Sequence, residues 1–220
     1  RVTENIRRLR QAGITVKLNC SLTPWNAEDL EQIVAFAEEY GLILEVATYM
    51  FPSVRRDERK AGQNARFTPE EAAYYRCKTL LLQYGRERFL DFAKTLEDGT
   101  APGIEPGCEW QEEGDGVLCR AGRAAFWVTW DGRMLPCGMM TGPVVEPFRD
   151  GFFKAWEKLV EETAKIRLSA QCANCRVKKA CSTCAAMAYS ETGRFDGTAE
   201  YRCRYMEALP EQARKLQLEL

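Results

Sequence analysis

The chain has 220 residues, with ten cysteines and no histidine. Without histidine it supplies no catalytic imidazole and no imidazole metal ligand, so a transition-metal site must be built from thiolates or carboxylates. Its net charge of −1 does not point to nucleic acid or a membrane, and 45% hydrophobic with 29% charged residues is typical of a soluble globular protein.

The first fifty residues predict two helices that alternate with two strands. We expect a helix capped by Thr3, with Ile6 and Leu9 inward, and a strand over 14–22. Asn26 is expected to cap a second helix that ends at Gly41. A nearly continuous apolar run over 42–50 then predicts a strand covered on both faces. The alternation favours parallel strands joined by a crossover.

Thr68-Pro69-Glu70-Glu71 predicts a strong helix start, because Thr68 caps, proline suits the first position and Glu71 reaches back. That helix is expected to end at Gly85, and another follows over 86–97. The segment 98–116 is rich in glycine and proline, which indicates a domain linker. A parallel sheet of only two strands needs further strands beside it, so we interpret 1–100 as part of a larger α/β unit. The alternative is a small but complete α/β layer.

Eight of the ten cysteines follow residue 100, four of them within Cys172–Cys184. Asp131-Gly132 predicts a two-residue hairpin turn that separates strands over 124–130 and 133–137, with Cys119 and Cys137 near its base. An amphipathic helix with Phe152, Phe153, Trp156, Leu159 and Val160 follows. Four thiolates fill a tetrahedral zinc site or a [4Fe–4S] cluster, and eight make two such sites. The short gap between the two C-x2-C pairs favours clusters over a twin zinc module.

The cysteine spacing resembles the SPASM domain of radical S-adenosylmethionine (SAM) enzymes that modify peptides. Cys119, Gly132 and Cys137 match its C-x(9–15)-G-x4-C element, and Cys172, Cys175, Cys181, Cys184 and Cys203 follow in order. Cys181 and Cys184 are separated by two residues where the family has three. The resemblance implies that Cys108, Cys119, Cys137 and Cys184 bind auxiliary [4Fe–4S] cluster I. It also implies that a second auxiliary [4Fe–4S] cluster, cluster II, is bound by Cys172, Cys175, Cys181 and Cys203.

The resemblance also implies a fold. Residues 1–100 would be the C-terminal portion of a partial (β/α)6 barrel with connecting helices, and 101–220 a small α+β SPASM domain with a β-hairpin and twin clusters. The C-x3-C-x2-C loop of the family, which holds the SAM-cleaving cluster, does not occur in this sequence. We therefore expect a C-terminal part of a longer enzyme, inactive alone. Cys20 and Cys77 lie outside the pattern and are expected to be buried structural residues.

In the parent enzyme the family chemistry would be hydrogen abstraction from a peptide or protein by a SAM-derived radical. The implied product is a thioether or carbon–carbon link in a ribosomal peptide. Met50 and Ser21, at strand ends, would face the cofactor, and a third [4Fe–4S] cluster would bind SAM in the parent. A flavodoxin- or ferredoxin-type donor would supply electrons. We expect a cytoplasmic protein that does not bind nucleic acid. We also expect no membrane binding, because no run approaches 18 apolar residues.

Two other functions stay open. One is a non-enzymatic module, either twin-zinc or an iron–sulfur domain for electron transfer or binding. The other is an anaerobic sulfatase-maturing type of enzyme, which Gly138, where that branch is expected to carry an acidic residue, disfavours. The charged loop with Arg55, Arg56, Arg59, Lys60 and Arg66 could hold an acidic leader peptide, but Asp57 and Glu58 within it favour a solvated loop.

Overall fold

A computed structural model describes residues 1–52, 66–97, 116–117, 119–178, 180–181 and 183–220. The chain divides into two compact units. The first contains Arg1–Met50, Asn64–Asp98 and Arg204–Leu220; the second contains Phe51–Gln63 and Gly99–Cys203. The predicted linker therefore lies almost wholly outside the described residues, as do Cys108 and all of the charged loop except Arg66.

The first unit is an α/β layer with long elements. Its parts are α1 (Val2–Gln11), β1 (Lys17–Ser21), a 3-10 turn (Ala27–Asp29), α2 (Leu30–Glu39), β2 (Ile43–Ala47) and α3 (Pro69–Glu97). The strands pair in parallel, from Lys17 opposite Ile43 to Ser21 opposite Ala47. The predicted order and the parallel pairing are thus confirmed.

The strands are covered on one face only, so the prediction of cover on both faces is wrong. Side chains alternate along both strands: Val46 is buried, whereas Ile43 is 55% exposed. The described part of this sheet has two strands. An apolar run alone cannot distinguish one covered face from two, because Ile43, Glu45 and Ala47 form the outer face that the run conceals.

The helix starts differ in how well the sequence predicted them. At α3 the capping box is confirmed: the Thr68 backbone N–H donates to Glu71 Oε2 at 2.8 Å, and the Glu71 N–H donates to Thr68 Oγ1 at 3.2 Å. The predicted caps at Thr3 and Asn26 are wrong. Residue Arg1 precedes α1, and the Asn26 side chain instead accepts from the Thr23 N–H at 2.8 Å. Asn26 therefore closes the turn before the helix.

The core of the first unit contains fully buried Leu22, Leu30, Cys77 and Phe89. Ile6 is buried as predicted, but Leu9 is 40% exposed, which corrects its inward placement. Gly85, with φ 79°, breaks α3 at the predicted position between its two helical parts. Only glycine adopts such a backbone conformation at low cost, which explains why the break falls there.

The second unit has short elements. They are β3 (Trp127–Val128), β4 (Met134–Leu135), α4 (Pro147–Asp150), α5 (Phe152–Ala164), α6 (Ala170–Ala173) and α7 (Ala185–Thr192). Helix α8 (Glu200–Leu218) follows, and from Arg204 onward it belongs to the first unit. Pro210 lies inside α8 and does not end it.

The hairpin between β3 and β4 has a three-residue loop, which corrects the predicted two-residue turn. The Thr129 N–H donates to the Arg133 carbonyl at 2.8 Å, so the loop is Trp130, Asp131 and Gly132. Gly132 has φ 82°, the left-handed conformation that such loops place at their last position. Asp-Gly therefore marks the hairpin correctly, but the turn begins one residue earlier.

Helix α5 packs through Ala155, Leu159 and Thr163. The predicted apolar face is partly wrong, because Phe153 is 79% exposed and Phe152 is also exposed. Gly122, buried and with φ 63°, lies against the side chain of Thr163. Thr163 is itself buried and donates to the Leu159 carbonyl at 2.7 Å. This contact joins the segment that follows Cys119 to α5.

Candidate metal centre

Nine cysteines are described, and none of these forms a disulfide. Cys119 and Cys175 are exposed; Cys137, Cys172, Cys181, Cys184 and Cys203 are half-buried. Cys108, predicted for the first quartet, lies outside the described residues, so at most three members of that quartet can be located.

Cys184 lies close to both Cys119 and Cys137. Burial raises the pKa of the Cys184 thiol, and the charges of Cys119 and Cys137 raise it further. The backbone N–H groups of Met187 and Ala186 act in the opposite direction, since they favour the thiolate. Cys184 thus interacts electrostatically with two thiols from distant parts of the sequence, and these are the three described members of the predicted first quartet.

Each of these sulfurs accepts a backbone N–H group. Ala121 donates to Cys119 Sγ at 3.5 Å, Met139 donates to Cys137 Sγ at 3.4 Å, and Met187 donates to Cys184 Sγ at 3.4 Å. Hydrogen bonds of this kind stabilise metal-bound thiolates and tune the potential of iron–sulfur clusters. Cys184 also precedes α7, where the helix dipole favours an anion.

A small apolar core lies under these thiols. It contains Met140, Ile166, Leu168, Ala185 and Ala186, and the half-buried Cys137, Cys172 and Cys184 pack against it. Cysteines from both predicted quartets therefore border the same core. An apolar core of this kind limits the access of water to a metal bound by the thiolates. Solvent access is one of the factors that set a redox potential.

The second predicted quartet is held by local backbone structure. Ser169 caps α6, accepting a hydrogen bond from the Cys172 N–H at 3.0 Å. The Cys175 N–H donates to the Cys172 carbonyl at 3.3 Å, which closes the C-x2-C turn. The hydroxyl of Thr183 lies 2.9 Å from Cys181 Sγ. The turn fixes the two cysteines of the first pair relative to each other.

A hydroxyl pair connects the Cys172 region with the start of α8. Ser169 Oγ lies 3.1 Å from Thr198 Oγ1, and Thr198 also donates to Gln171 at 3.3 Å. Cys203 lies one turn into α8, its N–H bonded to the Ala199 carbonyl at 3.1 Å. The start of the helix that carries Cys203 is therefore bonded to the start of the helix that carries Cys172.

Among the described residues, no group of three or more His, Cys, Asp or Glu side chains is arranged to hold a metal ion. The assignment of eight cysteines to two clusters therefore stays a prediction. The donor set fits a thiolate-ligated group in two respects: Cys119 and Cys137 both lie within electrostatic range of Cys184, and each of the three sulfurs accepts an N–H group.

The remaining predicted residues lie in the first unit. Ser21 is the exposed last residue of β1, and its carbonyl accepts from Asn26 Nδ2 at 3.2 Å. Met50 follows β2, and its carbonyl accepts from Arg66 at 3.5 Å. Their contact with SAM stays a prediction. Of the two cysteines outside the pattern, Cys77 is buried as predicted and Cys20 is half-buried.

A shallow depression of about 450 Å³ borders the apolar core of the second unit. Its charged side chains pair with one another: Arg194 with Asp196 at 2.8 Å, and Lys165 with Glu162 at 2.7 Å. Arg167 donates to two backbone carbonyls. Because these groups already have partners, the depression offers a ligand little unsatisfied charge.

Sequence reasoning missed several residues that organise the thiols. Ser169 could have been found, because a serine three residues before Cys172 fits an N-cap pattern. Gly138, directly after Cys137, carries no comparable pattern in the sequence. The N–H groups on the sulfurs carry no sequence signal, since every residue except proline supplies one.

No family model matches this chain. In a comparison with curated proteins, it is 26% identical over 217 residues to the AdoMet-dependent heme synthase of Methanosarcina barkeri. The match covers 89% of this chain and 58% of that protein. The described residues contain no helix with the length and apolar character needed to cross a membrane. The similarity is therefore to an AdoMet-dependent enzyme, and this chain spans a little over half the length of that protein.

Proposed function

We propose that this chain is part of a radical SAM enzyme and that its second unit holds auxiliary [4Fe–4S] clusters. The observation that carries the proposal is the grouping of Cys119, Cys137 and Cys184: burial raises the pKa of the Cys184 thiol, and repulsion from the other two sulfurs adds a smaller increase. Positive iron relieves that repulsion, because coordination replaces the thiol proton with metal charge. Cys108 would be the fourth ligand of this first site.

The second site would use Cys172, Cys175, Cys181 and Cys203. The C-x2-C turn and the Ser169–Thr198 bond support it, because they hold Cys172 and Cys175 together and tie α6 to the start of α8. When bound, fully thiolate-ligated clusters supply electron transfer at low potential. The residues of this chain orient the thiolates, donate N–H groups to sulfur and exclude water from one side.

Anaerobic loading of the 220-residue chain with iron and sulfide tests this proposal. Two clusters correspond to about eight iron and eight sulfide per chain. We expect Cys184→Ala to reduce the iron content to about half, with the loss of one cluster's signal in electron paramagnetic resonance. Cys20→Ala is the matched control, since Cys20 lies in β1 outside both quartets, and it should load like the unmodified chain.

Other outcomes decide against the proposal. A colourless chain that binds about two zinc ions and no sulfide would favour the non-enzymatic zinc module. A chain that loads clusters but supports no SAM cleavage in the full-length protein would favour an electron-transfer module. A Cys184→Ala variant with unchanged iron content would exclude Cys184 as a ligand.

The substrate class follows from a different observation. The relative's name specifies heme synthesis, so a heme-type tetrapyrrole is the first class to test. A ribosomal peptide, implied by the SPASM resemblance, is the second. We expect the full-length enzyme to need a flavodoxin- or ferredoxin-type donor with either substrate and to act in the cytoplasm.

Absorption titration of the full-length, cluster-loaded enzyme with hemin tests the tetrapyrrole class. Saturable binding that shifts the Soret band would support it. Absence of saturable binding, together with 5′-deoxyadenosine formation that depends on an added peptide, would favour peptide modification.

A further inference from the structure

The indole of Trp127 lies on the peptide backbone beside a predicted cluster ligand. Trp127 is in β3 and pairs with Leu135 of β4, two residues before Cys137. A Cβ atom at Gly138 would lie 3.1 Å from Trp127 Cδ2 and 3.3 Å from both Cε2 and Cε3. The face of the ring thus occupies the space that any side chain at position 138 would need.

Gly138 allows this approach through its lack of a side chain. Separations of 3.1–3.3 Å are shorter than nearly all contacts that Cβ atoms make. A larger residue would push the indole away from the turn. The glycine therefore permits a direct contact between an aromatic ring and the backbone.

The backbone under the indole is the turn that presents the Cys137 thiol. The Met139 N–H donates to Cys137 Sγ at 3.4 Å, and the Met140 N–H donates to the Cys137 carbonyl at 3.1 Å. Gly138 is the residue between Cys137 and Met139, so the ring lies on the part of the chain that aims the N–H group at sulfur. Met140 then enters the apolar core.

Trp127 is 57% exposed. Its outer surface therefore faces solvent, whereas its inner face covers the turn. A ring in this position keeps water away from the peptide groups next to sulfur, and a hydrogen bond shielded from water is less readily exchanged. Hydrogen bonds to sulfur and access of solvent are two of the factors that set the properties of a cluster.

We propose that Trp127 is a positioning residue for the Cys137 thiolate: its indole clamps the Cys137–Met139 turn, holds the Met139 N–H on the sulfur and shields the adjoining cluster. The role in shielding rests on the proposed function, because it requires a cluster on Cys137. The clamp on the turn does not, because the ring–glycine contact is a property of the polypeptide itself.

The first experiment measures hydrogen exchange at the Met139 amide in the metal-free 220-residue chain. We expect Trp127→Ala to accelerate exchange there about tenfold, the ratio that corresponds to losing one hydrogen bond of ordinary strength. Trp127→Phe keeps an aromatic face and should restore most of the protection. Trp130→Ala is the matched control, since Trp130 lies in the same hairpin and is 90% exposed.

The second experiment measures bleaching of the cluster absorption in air after anaerobic loading. Trp127→Ala should bleach several-fold faster than the unmodified chain, while Trp127→Phe and Trp130→Ala should bleach at its rate. Gly138→Ala should resemble Trp127→Ala, because the added methyl group displaces the ring. These variants should all retain the iron content of the unmodified chain.

The outcomes separate the two proposals. If Trp127→Ala and Trp130→Ala behave alike in both measurements, the positioning role is wrong and the proposed function stands. If the unmodified chain takes up no cluster, the proposed function fails and the shielding role fails with it. In that case the exchange of Met139 still supports or overturns the clamp on the turn.

Discussion

The two units of this chain achieve order in different ways. The first has a helical span of 29 residues that Gly85 divides, a paired parallel sheet and a capping box, and its core contains fully buried Leu22, Leu30 and Phe89. The second has two-residue strands and two four-residue helices, and half-buried thiols border its small core. The second also buries Met134 and Leu159 completely, so the two units differ chiefly in the regularity of their backbone and in the number of cysteines that they contain.

This difference indicates where bound metal would matter for folding. Binding of a structural metal contributes its free energy directly to folding when the site does not exist in the unfolded chain. The second unit brings cysteines from three separate segments to its core, so its order should depend on loading. The first unit contains only Cys20 and Cys77 and should not respond.

The largest expected effect is therefore the response to metal removal. Chelation of iron from the loaded chain should strongly accelerate amide exchange across 119–178 and 183–203. Exchange in β1, β2 and α3 should change little. Hydrogen exchange with mass spectrometry gives both readings in one sample. An equal change in the two units would contradict the comparison, and no change in either would exclude a structural role for the metal.

The next effect is a loss of stability of the first unit at high pH. Desolvation raises the pKa of the buried Cys77 thiol from 9.0 to about 12, so the unfolded chain loses this proton at lower pH than the folded chain. Stability is fully present below pH 9 and decreases as pH rises toward 12. The two pKa values correspond to about 4 kcal/mol at most.

Denaturation in urea from pH 8 to 11 measures this slope. Cys77→Ala should reduce it, although the variant starts from lower stability because it leaves a small cavity. Cys20→Ala serves as the comparison in the same unit: burial also raises the pKa of Cys20, but Cys20 is only half-buried, so its removal should alter the slope less.

A pair of glycines compares the packing of the two units directly. Gly122 and Gly13 both have a left-handed φ, of 63° and 75°, which penalises any side chain. A Cβ at Gly122 would also collide with buried Thr163, whereas nothing lies within 4 Å of one at Gly13. We expect Gly122→Ala to cost about 3 kcal/mol and Gly13→Ala about 1 kcal/mol. If the two substitutions lower the free energy of unfolding equally in urea denaturation, backbone strain alone determines the loss of stability.

The smallest expected effect concerns the confirmed cap. Thr68→Ala removes the acceptor for the Glu71 N–H and should destabilise the first unit by about 1 kcal/mol. Thr3→Ala, at the predicted cap that the structure does not use, should change stability by less than about 0.5 kcal/mol. Thermal unfolding of the two variants beside the unmodified chain provides the check, and similar losses would mean that the α1 start was misassigned.

The sequence predicted the first unit better than the second for identifiable reasons. The Thr68–Glu71 capping box and Gly85 act within one or two helical turns. The start and the break of α3 therefore depend on local chemistry alone. The covered face of β2 was mispredicted, because which face is covered depends on the helices that pack on it and not on the strand itself. Asn26 failed as a cap because its side chain had a competing turn partner in Thr23.

In the second unit the family resemblance implied which thiols belong together, but not how they are held. Cys184 lies close to Cys119 and Cys137, but the assignment of these thiols to one cluster stays a prediction. The hairpin loop was one residue longer than Asp-Gly suggested. The contacts of Trp127 with Gly138 and of Ser169 with Thr198 join residues 11 and 29 positions apart, and no local pattern encodes such pairs.

The bond between Ser169 and Thr198 has a consequence for the entropy of assembly. It closes a chain loop across 29 positions, and closing such a loop costs conformational entropy whatever joins its ends. Here two hydroxyl groups close it without metal. Cys203, five residues after Thr198, then has only a short distance left to be fixed. If the proposed second cluster forms here, iron would meet a partly assembled set of thiols, and more of its binding energy would be retained as affinity.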